Sequence, residues 1–213
     1  LVCRADCDAT AFALVFSGRM EPTAGAVLLN GTGDAPTLRE LVAVVDAPGV
    51  SEPEPTLPLS AVVAEELALA SAPADRAAVD DWLQAHGVFE FGDHRFENIP
   101  AAARTDLLVE LATARPGVQV LMLDTPDRHT GDPDGWWSCA IRQARRGVAV
   151  VVLCADPVAH LLSVSAARLG QLEQPAPLRV VEPDESAGWD PPRHESLDPD
   201  VLTGTLPYPS EDA

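Results

Sequence analysis

The sequence contains no lysine: all 14 of its basic residues are arginines, and 33 aspartates and glutamates oppose them. The formal net charge of −19 repels the phosphates of nucleic acids and the head groups of anionic lipids, so we expect neither nucleic-acid binding nor direct membrane insertion. Without lysine the chain can form no Schiff base, and it offers no lysine ammonium to a bound phosphate.

Long apolar runs and paired cysteines are also lacking. No run of about 18 apolar residues occurs, so we predict no membrane-spanning helix. Metal-ligand spacing is absent around the four cysteines, which we expect to be reduced, structural thiols: Cys3, Cys7, Cys139 and Cys154. A length of 213 residues with 46% hydrophobic composition suits one globular domain, or one domain and a tail.

Short apolar runs alternate with amphipathic segments. Continuous apolar runs predict buried strands at residues 41–46, 118–126 and 148–156, and a shorter run at 26–31 predicts a strand closed by an Asn-Gly turn. Helical patterns cover residues 9–20, 59–71, 73–87, 99–117 and 136–147. This order predicts an α/β fold with a parallel sheet, interrupted by an inserted helical subdomain.

The division of the chain follows from the same patterns. We predict one α/β domain over residues 1–173, with the helical subdomain at about 58–106. From Gln174 onward Pro, Asp, Glu and Ser dominate, and residues 174–213 are predicted to be a poorly ordered, acidic, Pro-rich tail.

Three motifs in order resemble those of the ATP-binding cassette ATPases, the nucleotide-binding subunits of ABC transporters. SGRMEPTAGAVLLNG (17–31) is similar to the stretch after the family's phosphate loop, VLMLDTPDRH (120–129) to its LLLLDEPTxxLD, and RRGVAVVVLCAD (145–156) to its GxTVLLVTHD. The resemblance spans residues 3–168. It implies a P-loop NTPase-like fold and a cytoplasmic location, with attachment at the inner face of the membrane through a membrane subunit.

The phosphate loop that the resemblance implies has lost its chemistry. The pattern G-x-x-x-x-G-K-[ST] falls on CRADCDAT (3–10), which places Asp8 at the second glycine, Ala9 at the lysine and Thr10 at the Mg²⁺ ligand. The carboxylate of Asp8 would repel a polyphosphate. Thr10 has two interpretations, a helix N-cap or a Mg²⁺ ligand, and we favour the N-cap.

The other implied nucleotide positions are altered too. Asp124 stands at the Mg²⁺-binding aspartate, although a strand-end aspartate that caps backbone amides is the interpretation we favour. Thr125 replaces the catalytic glutamate and cannot act as a base, and Ala155 replaces the switch histidine. The LSGGQ signature falls on IPAAA (99–103), and no glutamine stands near Asp46 or Ala47, where the family has one.

These replacements imply a pseudo-ATPase for which we expect neither ATP nor Mg²⁺ as a cofactor. Its expected role is assembly or regulation, in a pair with an active ATPase, with itself or with a membrane permease. One alternative is a weak Mg-ATP-binding ABC ATPase in which Thr10 and Asp124 bind Mg²⁺ and Arg4 replaces the lysine. Another is an adaptor whose acidic tail binds a basic partner.

Two further features lie between residues 127 and 137. Trp136 and Trp137 are adjacent and cannot both face one core, so they are candidates for an interface; the alternative is that both pack against neighbouring elements. The loop before them gathers Asp127, His129 and two more aspartates, but it lacks EF-hand spacing, and we expect a solvated acidic loop rather than a metal site.

Overall fold

A computed structural model describes residues 1–3 and 9–180, all of which belong to one compact unit, Leu1–Val180. Its centre is an open sheet whose strands pair in parallel in the order β1-β4-β3-β2. The strands are β1 (Val2–Cys3), β2 (Val42–Val45), β3 (Val120–Asp124) and β4 (Ala149–Ala155). The predicted α/β class with a parallel sheet is therefore confirmed.

Helices connect the strands and cover the sheet. They are α1 (Ala9–Phe16), α2 (Ala35–Leu41), α3 (Leu59–Leu69), α4 (Arg76–Ala85), α5 (Ala101–Thr113), α6 (Asp134–Arg145) and α7 (Asp156–Ala159). Short 3-10 turns lie at Phe89–Phe91, Phe96–Asn98 and Pro126–Arg128.

The register of the sheet places Val42 opposite Val120, and Val120 opposite Ala149. A further parallel pairing extends the sheet beyond β1. The Val2 amide donates to the Ala167 carbonyl at 2.7 Å, and the Leu169 amide donates to the Val2 carbonyl at 3.0 Å. The segment at 167–169 therefore lies on the outer side of β1.

Burial on both faces explains the apolar runs of β2 and β3, in which every residue is buried. One face packs on α1, where Ala13, Val44 and Met122 share a core cluster. Alternation along β3 directs Leu121 and Leu123 to the opposite face, where α5 and α6 contact the sheet.

The end of α1 depends on Gly18, which has a φ of +69°. The Arg19 amide reaches back to the Leu14 carbonyl at 2.8 Å, and the Gly18 amide donates to the Val15 carbonyl at 3.1 Å. A glycine in the left-handed region ends helices in this way at little steric cost. Helix α1 therefore ends at Phe16, earlier than the helical pattern at residues 9–20 predicted.

Between β2 and β3 the chain forms α3, α4 and α5. Asp75 caps α4, because its side chain accepts a hydrogen bond from the Ala78 amide at 3.1 Å. Helix α3 begins directly after Pro58. Helix α5 follows Pro100 and packs on the sheet. The bounds of the helical subdomain and of the tail stay predictions; residues 181–213 lie outside the described part of the chain.

The predicted strand at residues 26–31 is wrong. The Asn-Gly turn is present, with φ of 52° at Asn30 and 81° at Gly31, but only an isolated bridge between Leu29 and Thr32 accompanies it. Ala26 and Leu28 are exposed, and among the described residues this apolar run pairs with no strand of the sheet. The result departs from the family pattern that the stretch resembles.

Helix α2 was not predicted from the sequence. It passes directly into β2, so a single apolar run hides the boundary between them. The local signal was Asp34, whose carboxylate accepts from the Thr37 amide at 3.0 Å, followed by a proline in the first turn.

In the part of the chain that the structure describes, none of the helices combines the length and apolar character needed to cross a lipid bilayer.

Gly18→Ala should destabilise the fold strongly. A Cβ at this position would lie 2.8 Å from the Ala35 carbonyl oxygen and 2.9 Å from the Leu38 Cβ. Left-handed strain and overpacking together should lower the free energy of unfolding by about 3 kcal/mol. Gly25→Ala is the matched control, because Gly25 has a φ of +82° with no atom near its added Cβ. Its expected loss is about 1 kcal/mol; equal losses in urea denaturation would contradict this packing.

Candidate functional site at the carboxyl ends of the strands

The connections that leave β1 and β4 run in opposite directions. From β1 the chain crosses to β2 at the far edge of the sheet, whereas from β4 it passes through α7 to the segment at 167–169 beside β1. In open parallel sheets, ligands bind outside the carboxyl ends of the strands at such a point of divergence. Every described position that the resemblance assigned to a nucleotide site, except the signature segment, lies in or next to this edge.

Thr10 and Asp124 are in direct contact at this edge. Thr10 is the second residue of α1, and its hydroxyl donates to Oδ2 of Asp124 at 2.6 Å. Asp124 ends β3 and is 1% exposed. Thr10 thus lies inside the first turn rather than at the N-cap, and its side chain joins α1 to the sheet.

The remaining implied nucleotide positions have other local roles. The Ala9 methyl group packs in the core cluster under α1. Thr125 adopts a left-handed conformation with a φ of 48°, and its amide donates to the Leu153 carbonyl at 2.9 Å. The Ala155 amide donates to Oδ2 of Asp127 at 3.0 Å. Asp8 and Arg4 lie outside the described residues.

An ionic cluster follows the end of β2. Asp46 has a φ of 60° and is 7% exposed. Its two carboxylate oxygens are hydrogen-bonded to Nη2 of Arg128 and Nε2 of His129, each at 2.9 Å. The same Arg128 Nη2 donates to Glu52 at 3.1 Å, and its Nη1 donates to the Asp124 carbonyl at 2.8 Å. Arg128 therefore joins the ends of β2 and β3.

The cluster has the composition of a metal site, since ligand atoms of Asp46, Glu52 and His129 lie within 4.8 Å of one another. The guanidinium of Arg128, however, already bridges the two carboxylates. A metal ion would have to displace this cation, and the cluster is satisfied without one. Within the acidic loop, Asp132 accepts from the Asp134 amide, whereas His129 contacts Asp46.

Burial raises the pKa of Asp46, while the neighbouring Arg128 and His129 act in the opposite direction. Asp46 directly follows the buried strand β2, and its carboxyl group is itself buried, so its charged form is poorly solvated. Directly after β4 the pKa shift has the opposite direction. The Arg168 guanidinium, 2.6 Å from Asp156, lowers the pKa of that carboxyl.

The two candidate interface tryptophans contact each other edge to face, with ring centroids 6.2 Å apart. Trp136 is 1% exposed, and its indole Nε1 has no hydrogen-bond partner among the described residues. Trp137 is half-buried. Only Trp137 therefore presents surface to the predicted interface.

Sequence reasoning did not identify the cluster around Arg128 or the contact between Asp127 and the Ala155 amide. Part of the signal was present, because Asp46 follows an apolar run that was predicted to be a buried strand. Its partner stands 82 positions later, and no local pattern links the two.

Comparison with models of known protein families gives no match, and comparison with curated proteins also gives none.

Thr10→Val should remove the hydroxyl donor from a buried carboxylate and lower the free energy of unfolding by about 2 kcal/mol. Thr10→Ser, which keeps the hydroxyl, should lose less than about 1 kcal/mol. Urea denaturation of both variants gives the measurement. A valine variant as stable as the serine variant would show that this hydrogen bond contributes nothing.

The pKa of Asp46 should lie above that of an ordinary aspartate, and Arg128→Gln should raise it further by removing a positive charge. Because the folded-state pKa is raised, the stability that this proton contributes is fully present below the unfolded-state pKa and is lost as the pH rises through the folded-state pKa. The side-chain ¹³C shift of Asp46 against pH measures this directly. Arg95→Gln, at an exposed pair with Glu97, is the control and should leave the curve unchanged.

Proposed function

We propose that the chain is a non-catalytic relative of the ATP-binding cassette ATPases with a P-loop NTPase-like core. In this role it assembles with or regulates a partner: an active ATPase, a second copy of itself, or a membrane permease. The proposal combines the resemblance in three ordered motifs with the chemistry present at the corresponding positions.

The arrangement of those positions supports a common ancestral site. Thr10 touches Asp124, and Ala155 ends the strand adjacent to Asp124's strand in the parallel sheet. In chain order, helices α3 and α4 lie between β2 and β3, where the resemblance implies an inserted helical subdomain.

The observation that carries the non-catalytic part is that carboxylates at this edge are held by partners inside the chain. Asp46 binds Arg128, Asp124 accepts from Thr10, and Asp127 accepts from the Ala155 amide. A polyphosphate would meet several negative charges here, and like charges in a partly buried site repel by several kcal/mol. No lysine is available to offset them.

One observation favours the alternative, a weak Mg-ATP-binding ATPase. Thr10 and Asp124, the two implied Mg²⁺ ligands, are close enough to share one ion if the hydroxyl turns away from the carboxylate. Catalysis would still lack a base, because threonine at position 125 cannot take a proton from water at neutral pH.

Calorimetric titration of the full chain with Mg-ATP separates the two functions. We expect no saturable heat at millimolar ATP and no phosphate release above a buffer blank. Saturable binding that Asp124→Asn abolishes would establish the alternative. Turnover at the rate of an ordinary ABC ATPase, lost in the same variant, would contradict the proposal.

The partner is tested by affinity purification from the native host in mild detergent. Recovery of a membrane permease together with a second ATPase is the expected result for a transporter subunit. Trp137→Ala should reduce that recovery if this half-buried ring lies in the interface, whereas Trp82→Ala, at a half-buried tryptophan on α4, is the control. A chain that purifies alone as a monomer would contradict the assembly role.

A further inference from the structure

Three arginines come together where α1 and α2 end near the beginning of β2. Arg19 Nη1 donates to the Val42 carbonyl at 3.2 Å, Arg39 Nη1 donates to the Gly18 carbonyl at 2.8 Å, and Arg115 Nη2 donates to the Arg39 carbonyl at 3.4 Å. Each guanidinium thus uses one amino group on the backbone and has further donors to offer.

These three residues differ from the ion-paired arginines of the chain. In the part that the structure describes, six arginines lie within 4.0 Å of a carboxylate: Arg76, Arg95, Arg128, Arg142, Arg146 and Arg168. Over the same residues, no carboxylate lies that close to Arg19, Arg39 or Arg115. In a chain with a net charge of −19, a cluster of three arginines without a carboxylate in ion-pair contact is unusual.

The electrostatics of the cluster agree with this geometry. Burial lowers the pKa of Arg19, and the positive charges of Arg115 and Arg39 lower it further. The cations therefore repel one another, and a bound anion would relieve this repulsion.

A cavity of about 220 Å³ lies beside this cluster and has both a charged and an apolar wall. A larger cavity, of about 510 Å³, lies elsewhere among helices. Arg19 and Arg115 form the positive wall of the smaller cavity, Asp46 adds a carboxylate at one end, and the apolar wall consists of Val44, Val50, Leu69, Leu108 and Ala112. Val50 and Leu69 are 50% and 71% exposed, so the apolar wall reaches solvent.

We propose that Arg19, Arg39 and Arg115 form a binding site for a small organic carboxylate whose short apolar group occupies the adjoining cavity. The planar guanidinium pairs with a carboxylate through two parallel hydrogen bonds, which favours this anion. The cavity is below the roughly 300–1,000 Å³ of sites for drug-sized ligands, so the apolar group is a short one.

Glu66 also lines the cavity. Burial raises the pKa of this carboxyl, and Arg115 opposes that shift. When ionised, Glu66 opposes the entry of an anion. Removing the charge of Glu66 should therefore strengthen anion binding, which tests the site while leaving the arginines unchanged.

The test uses sodium hexanoate and sodium acetate as probes, titrated into the full chain at constant ionic strength set with sodium chloride. Dissociation constants come from amide chemical shifts of residues that line the cavity. Hexanoate should bind at least about tenfold more tightly than acetate, because the cavity buries its methylene groups. Arg115→Gln should weaken hexanoate binding about tenfold through the loss of a charge-assisted hydrogen bond.

Two variants keep the test independent of folding, since Arg19 and Arg115 also bind backbone carbonyls. Glu66→Gln should strengthen hexanoate binding several-fold, whereas Glu65→Gln, an exposed neighbour on the same helix, should leave it unchanged. Equal affinities for hexanoate and acetate, shifts reproduced by chloride alone, or an effect of Glu65→Gln equal to that of Glu66→Gln would each overturn the proposal.

Discussion

The carboxylates at the ends of β2, β3 and β4 are held by groups from other segments of the chain. Asp46 is bound by Arg128, Asp124 by Thr10, and Asp156, directly after β4, by Arg168. Asp46 and Asp124 are buried, and a buried carboxylate without such partners costs several kcal/mol, so the ends of β2 and β3 depend on these contacts. The same contacts fix α1, the loop after β3 and the segment beside β1 against the ends of the strands.

This arrangement links the fold to the proposed function. A functional nucleotide site would use the carboxyl ends of the strands for phosphate and metal, but here the side chains bind one another and the edge carries negative charge. Positive charge is concentrated elsewhere, near the first residue of β2, where Arg19 contacts the Val42 carbonyl. We propose that phosphate binding is disfavoured at the carboxyl ends of the strands, and that a small anion binds beside the arginine cluster instead.

Strands β2 and β3 could be predicted because burial on both faces gives continuous apolar runs. Strand β4 has a similar run, rich in β-branched residues, although its first three residues are not fully buried. The run at 26–31 has the same local character but no adjacent strand, so local propensity gave a wrong prediction there. The resemblance assigned Thr10 and Asp124 to the same implied nucleotide site. The hydrogen bond between them was not predicted, because it joins residues 114 positions apart. The members of the Arg128–Asp46 pair are 82 positions apart, and tertiary packing alone brings them together.

The most direct measurement is paramagnetic broadening of the amide NMR signals of the full chain by Mn²⁺ in the presence of ATP. If the carboxyl edge no longer holds a metal-bound nucleotide, the signals of Thr10, Asp124, Thr125 and Ala155 should broaden no more than those of exposed acidic segments elsewhere. Selective broadening of these four signals, lost in Asp124→Asn, would contradict the account by showing a metal-nucleotide site where the chain's own contacts are proposed to exclude one.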